Sequence, residues 1–217
     1  MLVTYVITIN VPTRLLHRRS RRLVGTFIVI TSGIVPEVYR KSHFSRLFDK
    51  ETLANDISIV FTTSPFTIDE FVRPAALPKS PTFHIRTGKT MVSGFGLTEK
   101  GSLAKKLKFT QINLRPASFC ENLSKNNQKF DNERFLCGVG RQKTAVARRD
   151  ACQNDSGGPL IAKVLDENHK EKFTLVGIVS SGDGVGEGVF ENCGSFGTYT
   201  RVSKYLNFIR DPVHNFW

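Results

Sequence analysis

Residues 150–160 read DACQNDSGGPL, and the reading of this stretch decides the fold. Ser156 stands between Asp155 and the pair Gly157-Gly158. Glycines beside a serine let the backbone turn tightly enough to expose the hydroxyl and to aim peptide N–H groups at one neighbouring oxygen. Ser156 is therefore a candidate nucleophile beside a candidate oxyanion site. The competing reading, a glycine turn that merely contains a serine, would win for a shorter pattern.

Working outward, short apolar or alternating runs recur between turn residues at Ile57 to Phe61, Thr90 to Ser93, Lys106 to Asn113, Leu160 to Val164 and Phe173 to Val179. This spacing predicts a barrel or sandwich of short antiparallel strands. The end of the chain departs from it. Val202, Tyr205, Leu206 and Ile209 recur at helical spacing, which predicts a single terminal helix docked on the barrel. The 217 residues can bury a core unaided, and an apolar fraction of 40% with 17 glycines and 9 prolines scattered through the chain fits neither disorder nor a collagen-like repeat.

The net charge of +12 is concentrated at the start, where Arg14, Arg18, Arg19, Arg21, Arg22 and Arg40 face only Glu37. Such a patch can attract nucleic acid, sulphated polysaccharide or anionic membrane. No aromatic interleaving or RNA-binding signature accompanies it, so a solvated basic face is the preferred reading and no nucleic-acid partner is expected. No run reaches the ~18 apolar residues of a membrane span. Residues 1–12, MLVTYVITINVP, make a poor signal peptide, without a basic flank before or a small-residue cleavage site after. The four cysteines, Cys120, Cys137, Cys152 and Cys193, stand at wide, non-metal spacings, and their even number points to two disulfides and an oxidising compartment. No metal and no cofactor is expected.

The stretch DACQNDSGGPL resembles the active-site segment of the trypsin and chymotrypsin family, from which it differs chiefly by Asn154 in place of a glycine. Further resemblances follow in order. LANDISIV at 53–60 is similar to the segment around the catalytic aspartate, VSGFG at 92–96 to the interbarrel segment with Phe95 for the usual Trp, and Cys120 and Cys137 to a loop disulfide. VGIVSSG at 176–182 resembles the strand lining the substrate cleft, and GTYTRV at 197–202 the strand closing the specificity pocket. The resemblance covers about residues 50–210. It implies an all-β fold of two six-stranded antiparallel barrels, the first incomplete, with a C-terminal helix. The whole of 1–217 then reads as one peptidase-like domain, with 1–45 divergent or truncated and 46–210 recognisable.

The resemblance also implies roles. Ser156 attacks the scissile carbonyl after a histidine takes its proton, Asp56 holds that histidine in the right tautomer, and the N–H groups of Asn154 and Ser156 form the oxyanion hole. Asp150, six residues before Ser156, matches the base of the primary pocket, where an acid pairs with Lys or Arg. Gly182 and Gly197 match its walls, and Ser180 a residue that supports the triad and lines the cleft. The implied disulfides are Cys120 with Cys137 and Cys152 with Cys193. The implied activity is a secreted trypsin-like serine endopeptidase cleaving after Lys or Arg, its partners being protein or peptide substrates and proteinaceous inhibitors.

The family's histidine, in a TAAHC-like string 40 to 50 residues before the aspartate, has no counterpart here. His17, 39 residues before Asp56, is a weak candidate in a basic arm, and His43 is too close. Asp155 matches the aspartate that pairs with a freed N-terminal amine, yet its partner is not obvious; Leu23 after Arg22 lies only 33 residues before Asp56. By that comparison about 30 residues of the first barrel are replaced or missing, so the chain is expected to show little peptidase activity. The alternative is a non-catalytic protease homologue that keeps the cleft as a binding or regulatory surface.

Overall fold

The computed structural model describes residues 27–30, 39–44, 48–49, 51–62, 75–83, 85, 88–98, 100–123, 130–142, 148–182 and 196–210. Its larger sheet runs through β4 (Gly88–Gly94), β5 (Lys108–Arg115), β6 (Phe135–Gln142), β8 (Pro159–Leu165), β9 (Glu171–Gly182) and β10 (Gly197–Arg201), with β7 (Arg148–Arg149) extending β6. The strand order is β10-β9-β8-β4-β5-β6, and β10 also pairs with β6, so six antiparallel strands close into a barrel without a free edge.

Alternation explains which side chains fill it. On β4, Thr90 and Val92 are buried while Met91 between them is exposed; on β5, Ile112 and Leu114 are buried and Arg115 is not. With Leu136, Leu160, Ala162, Val176, Val179 and Tyr199 they make the barrel core. Each large apolar side chain so buried contributes about 1.5–3 kcal/mol relative to exposure.

A smaller sheet, of order β1-β3-β2, is formed by β1 (Phe27–Ile30), β2 (Tyr39–Phe44) and β3 (Ser58–Thr62). It meets the barrel through a second core, in which Ile57 and Ile59 pack with Leu175 and Ile178 of β9 and with Val202 and Ile209. The last two belong to the terminal helix, a 3-10 turn Val202–Tyr205 running into α2 (Leu206–Arg210). Val202, Leu206 and Ile209 are fully buried, as their spacing predicts. Asp56, just ahead of β3, therefore enters at the seam between sheet and barrel.

One expectation needs correction. The terminal helix is not the single helix: α1 (Ala117–Leu123) follows Pro116 and carries the buried Cys120, and at seven residues it is too short for a periodic pattern. Strands also begin before residue 57. β2, YRKSHF, is short and polar and shows no apolar alternation, and it pairs with β3 through a register shift between Tyr39 and Lys41.

Candidate active site

The turn 152–158 is tied to itself and to the barrel. Asp155 N–H donates to Cys152 O at 3.0 Å and Gly158 N–H to Asp155 O at 2.9 Å, while Gly157 N–H reaches Val179 O and Val179 N–H reaches Gly158 O, both at 2.9 Å. Within it Asn154 adopts a left-handed φ of 69° and Gly157 one of 83°. Asparagine tolerates that region better than most residues, so Asn154 can hold this turn without a glycine. Among the described residues the amides of Asn154 and Ser156 donate to no protein acceptor. The Ser156 side chain is exposed at the mouth of a cleft of about 180 Å³, lined also by Val179, Ser180, Gly182, Gly197 and Tyr199.

Asp155 turns inward, where Oδ1 accepts from Gly96 N–H at 2.8 Å and Oδ2 from Cys152 N–H at 3.0 Å. Burial pushes its carboxyl above the usual carboxylate range, against the pull of those two amides. With its own N–H and carbonyl bonds to Cys152 and Gly158, Asp155 makes four hydrogen bonds to backbone groups.

Asp56 is 2% exposed and follows Asn55, whose φ of 59° bends the chain into β3. Its Oδ2 accepts the Ser180 hydroxyl at 2.7 Å, and its carbonyl accepts the Thr200 hydroxyl at 2.9 Å. Ser180 belongs to β9 and lines the cleft, so residues 124 positions apart join the buried aspartate to the wall beside Ser156. A charge-assisted bond of this kind fixes the carboxylate's orientation in a water-poor setting.

Asp150 is bonded to Tyr199, a residue that lines the cleft. Its Oδ1 accepts from Ala151 N–H at 2.7 Å and from the Tyr199 hydroxyl at 3.1 Å, and its Oδ2 from Gly140 N–H at 3.3 Å. Burial, then the neighbouring Asp150 carboxylate, hold the Tyr199 phenol well above its ordinary range, so it stays a donor. Gly182 and Gly197 face each other across β9 and β10. At Gly197 a Cβ would lie 2.9 Å from the Tyr199 hydroxyl oxygen, so a side chain there would displace a ring that lines the cleft.

Cys120 and Cys137 form the expected disulfide, with Cα atoms 6.0 Å apart. Cys152 is also disulfide-bonded; its expected partner Cys193 lies outside the described residues. So do His17, Leu23, His84 and His214. His43 falls on β2, opposite Ile59, and His169 is exposed at the turn between β8 and β9. Among the described residues no cluster of three or more His, Cys, Asp or Glu could hold a metal, and no helix is long and apolar enough to cross a membrane.

A closed antiparallel barrel, a terminal helix and an exposed serine on a stitched turn define a serine-protease-like domain. Residues 19–209 match the trypsin family model, and the chain belongs to that family, the trypsin and chymotrypsin group of serine proteases. Its fold is chymotrypsin-like. It is 30% identical to vitamin K-dependent protein C of Oryctolagus cuniculus over 177 residues, 76% of this chain and 35% of that protein. It is 33% identical to tissue-type plasminogen activator of Sus scrofa over 171 residues, 76% and 29%, and 30% identical to phenoloxidase-activating factor 3 of Holotrichia diomphalia over 163 residues, 73% and 42%. The chain thus spans between 29% and 42% of the length of these curated relatives.

The motifs did not single out Tyr199, Thr200 or Gly96. Tyr199 was in reach: it stands two residues after Gly197 on a strand, hence on the same face. Thr200 meets Asp56 across 144 positions, a contact no local pattern announces.

Proposed function

We propose that this chain is the peptidase-like domain of a secreted trypsin-like endopeptidase, hydrolysing peptide bonds after Lys or Arg in protein or peptide substrates. One observation carries the reading: Ser156 stands exposed at a cleft whose wall residue Ser180 is bonded to the buried Asp56. In this reading Ser156 Oγ attacks the scissile carbonyl, a histidine accepts its proton, and Asp56 keeps the imidazole in the productive tautomer. The amides of Asn154 and Ser156 stabilise the oxyanion, a contribution worth about 10²–10³ in rate per donor. The Asp150 carboxylate, bonded to Tyr199 of the cleft lining, attracts a cationic side chain between Gly182 and Gly197. The Cys120–Cys137 bridge supports an extracellular setting, in which proteinaceous inhibitors are natural partners.

The second reading, a non-catalytic homologue that uses the cleft for binding, rests on the sequence, which contains no TAAHC-like string. Without a general base only about 10³–10⁴ over water remains from binding and the oxyanion hole. Hydrolysis of an Arg-amide by the purified chain separates the two. Turnover near or above about 1 s⁻¹, lost in Ser156→Ala, establishes the endopeptidase, and its loss in His17→Ala identifies the base. Saturable binding of the Arg-amide without hydrolysis, weakened by Asp150→Ser, establishes the homologue.

A further inference from the structure

The segment 100–109, KGSLAKKLKF, interleaves lysines with large apolar residues. Lys100, Lys105, Lys106 and Lys108 are all exposed, and so are Leu103, Leu107 and Phe109, the last 74% exposed. From Lys100 to Cys120 the sequence carries five cations and no acid. Elsewhere four lysines meet carboxylates, Lys79 with Glu167, Lys163 with Glu171, Lys172 with Asp166 and Lys204 with Glu133, while Lys89 and Lys170 form no such pair among the described residues. Among the described residues the four lysine ammonium groups of this segment meet none.

The exposure is built in. Ala104 is buried and its N–H is held by Phe95 O at 3.2 Å and Gly96 O at 3.1 Å; Thr98 N–H donates to Ser102 O at 2.9 Å, and Leu97 bridges Leu103. Phe109 stands opposite Ser93 on the barrel's outer face, diagonal to the exposed Met91, which widens the apolar area. The same segment is fastened to the serine turn, because Leu97 N–H donates to Gln153 O at 2.9 Å and Gly96 N–H to Asp155 Oδ1 at 2.8 Å.

We propose that this segment is a docking surface for an acidic polypeptide stretch bearing apolar side chains, seated beside the Ser156 cleft. Charge complementarity favours an anionic occupant for four ammonium groups that meet no carboxylate among the described residues. Three large exposed apolar side chains among them favour an occupant that also buries apolar surface, which a sulphated polysaccharide does not. Attachment to the serine turn favours a polypeptide over a lipid surface, since a peptide is the polymer a cleft of this kind admits. That last step rests on the peptide-binding reading of the cleft; the charge and apolar match does not.

The test measures binding in the Ser156→Ala chain, so that hydrolysis plays no part. The probe is a fluorescein-labelled synthetic peptide alternating Glu with Leu and Phe, read by anisotropy. Saturable binding is expected, weakened about tenfold or more by Lys105→Glu with Lys106→Glu and separately by Phe109→Ser. Lys79→Glu with Lys163→Glu, the same charge change at lysines already paired, should leave it unaltered. Equal binding of a Glu-Ser peptide would overturn the proposal, as would no binding, or stronger binding to heparin or to phosphatidylserine vesicles. Loss of binding in both the segment and the control variants would also overturn it, by showing a response to net charge alone.

Discussion

Gly96→Ala tests the tie between the interbarrel segment and the serine turn. A Cβ at position 96 would lie 2.6 Å from Asp155 Cγ, 2.6 Å from Asp155 Oδ1 and 2.6 Å from the Gln153 carbonyl oxygen. Comfortable contacts between such atoms are about 3.5–4.0 Å, so each overlap is close to an ångström. Gln153 O belongs to the backbone and Asp155 is held at both oxygens, so neither can yield without breaking something. Overpacking of this kind costs about 1–3 kcal/mol, and loss of a hydrogen bond to a charged acceptor about 1.5–3 kcal/mol. Together they predict destabilisation by about 2.5–6 kcal/mol, or on the order of 10 °C in Tm at this chain length. Urea or thermal unfolding measures it. Asp155→Ala removes two of the three overlaps, so adding Gly96→Ala to it should cost less, with a coupling of about 1 kcal/mol or more. A Gly96→Ala chain within about 0.5 kcal/mol of the parent would refute this account of the turn.

Because burial raises the Asp155 carboxyl above its unfolded value, the folded chain binds more protons than the unfolded one between the two pKa values, and stability from this site is lost as pH rises through the folded value. Asp155→Asn should flatten that part of the stability curve, measured by urea unfolding across the acid range; an unchanged slope counts against the half-buried charge. Cys120→Ser opens a bridge between residues 17 apart and should cost about 3 kcal/mol in denaturant unfolding under oxidising conditions. In any peptidase-active form, Asp150→Ser should abolish preference for Lys and Arg in a peptide-library assay, whereas a parent cleaving best after Phe or Leu would remove Asp150 from the pocket.

The barrel was legible because its strands are two-faced. Thr90 and Val92, Ile112 and Leu114, and Leu160 and Ala162 point inward on alternate positions, and that period survives in the sequence whatever the strands pair with. Helix α1 was not legible, because seven residues give fewer than two turns and its stability comes from Cys120 bridging to β6. β2 was hidden for a related reason: YRKSHF has no apolar alternation, and its position is set by the ladder to β3.

The site divides along the same line. Ser156, Asp56, Asp150, Ser180, Gly182 and Gly197 came from local strings, and four of these six line one cleft, with Asp56 bonded to Ser180 and Asp150 to Tyr199. What the strings could not carry is the mortar between them. Asp155 lacked an evident partner when only charges were counted, yet its acceptors are filled by the amides of Gly96 and Cys152, groups every residue has and no sequence pattern marks. Two backbone donors to one half-buried carboxylate hold the serine turn against the segment at Gly96. A change at Gly96 therefore reaches Ser156 through Asp155, although 60 residues separate glycine from serine and the two are not in contact in any of the bonds described.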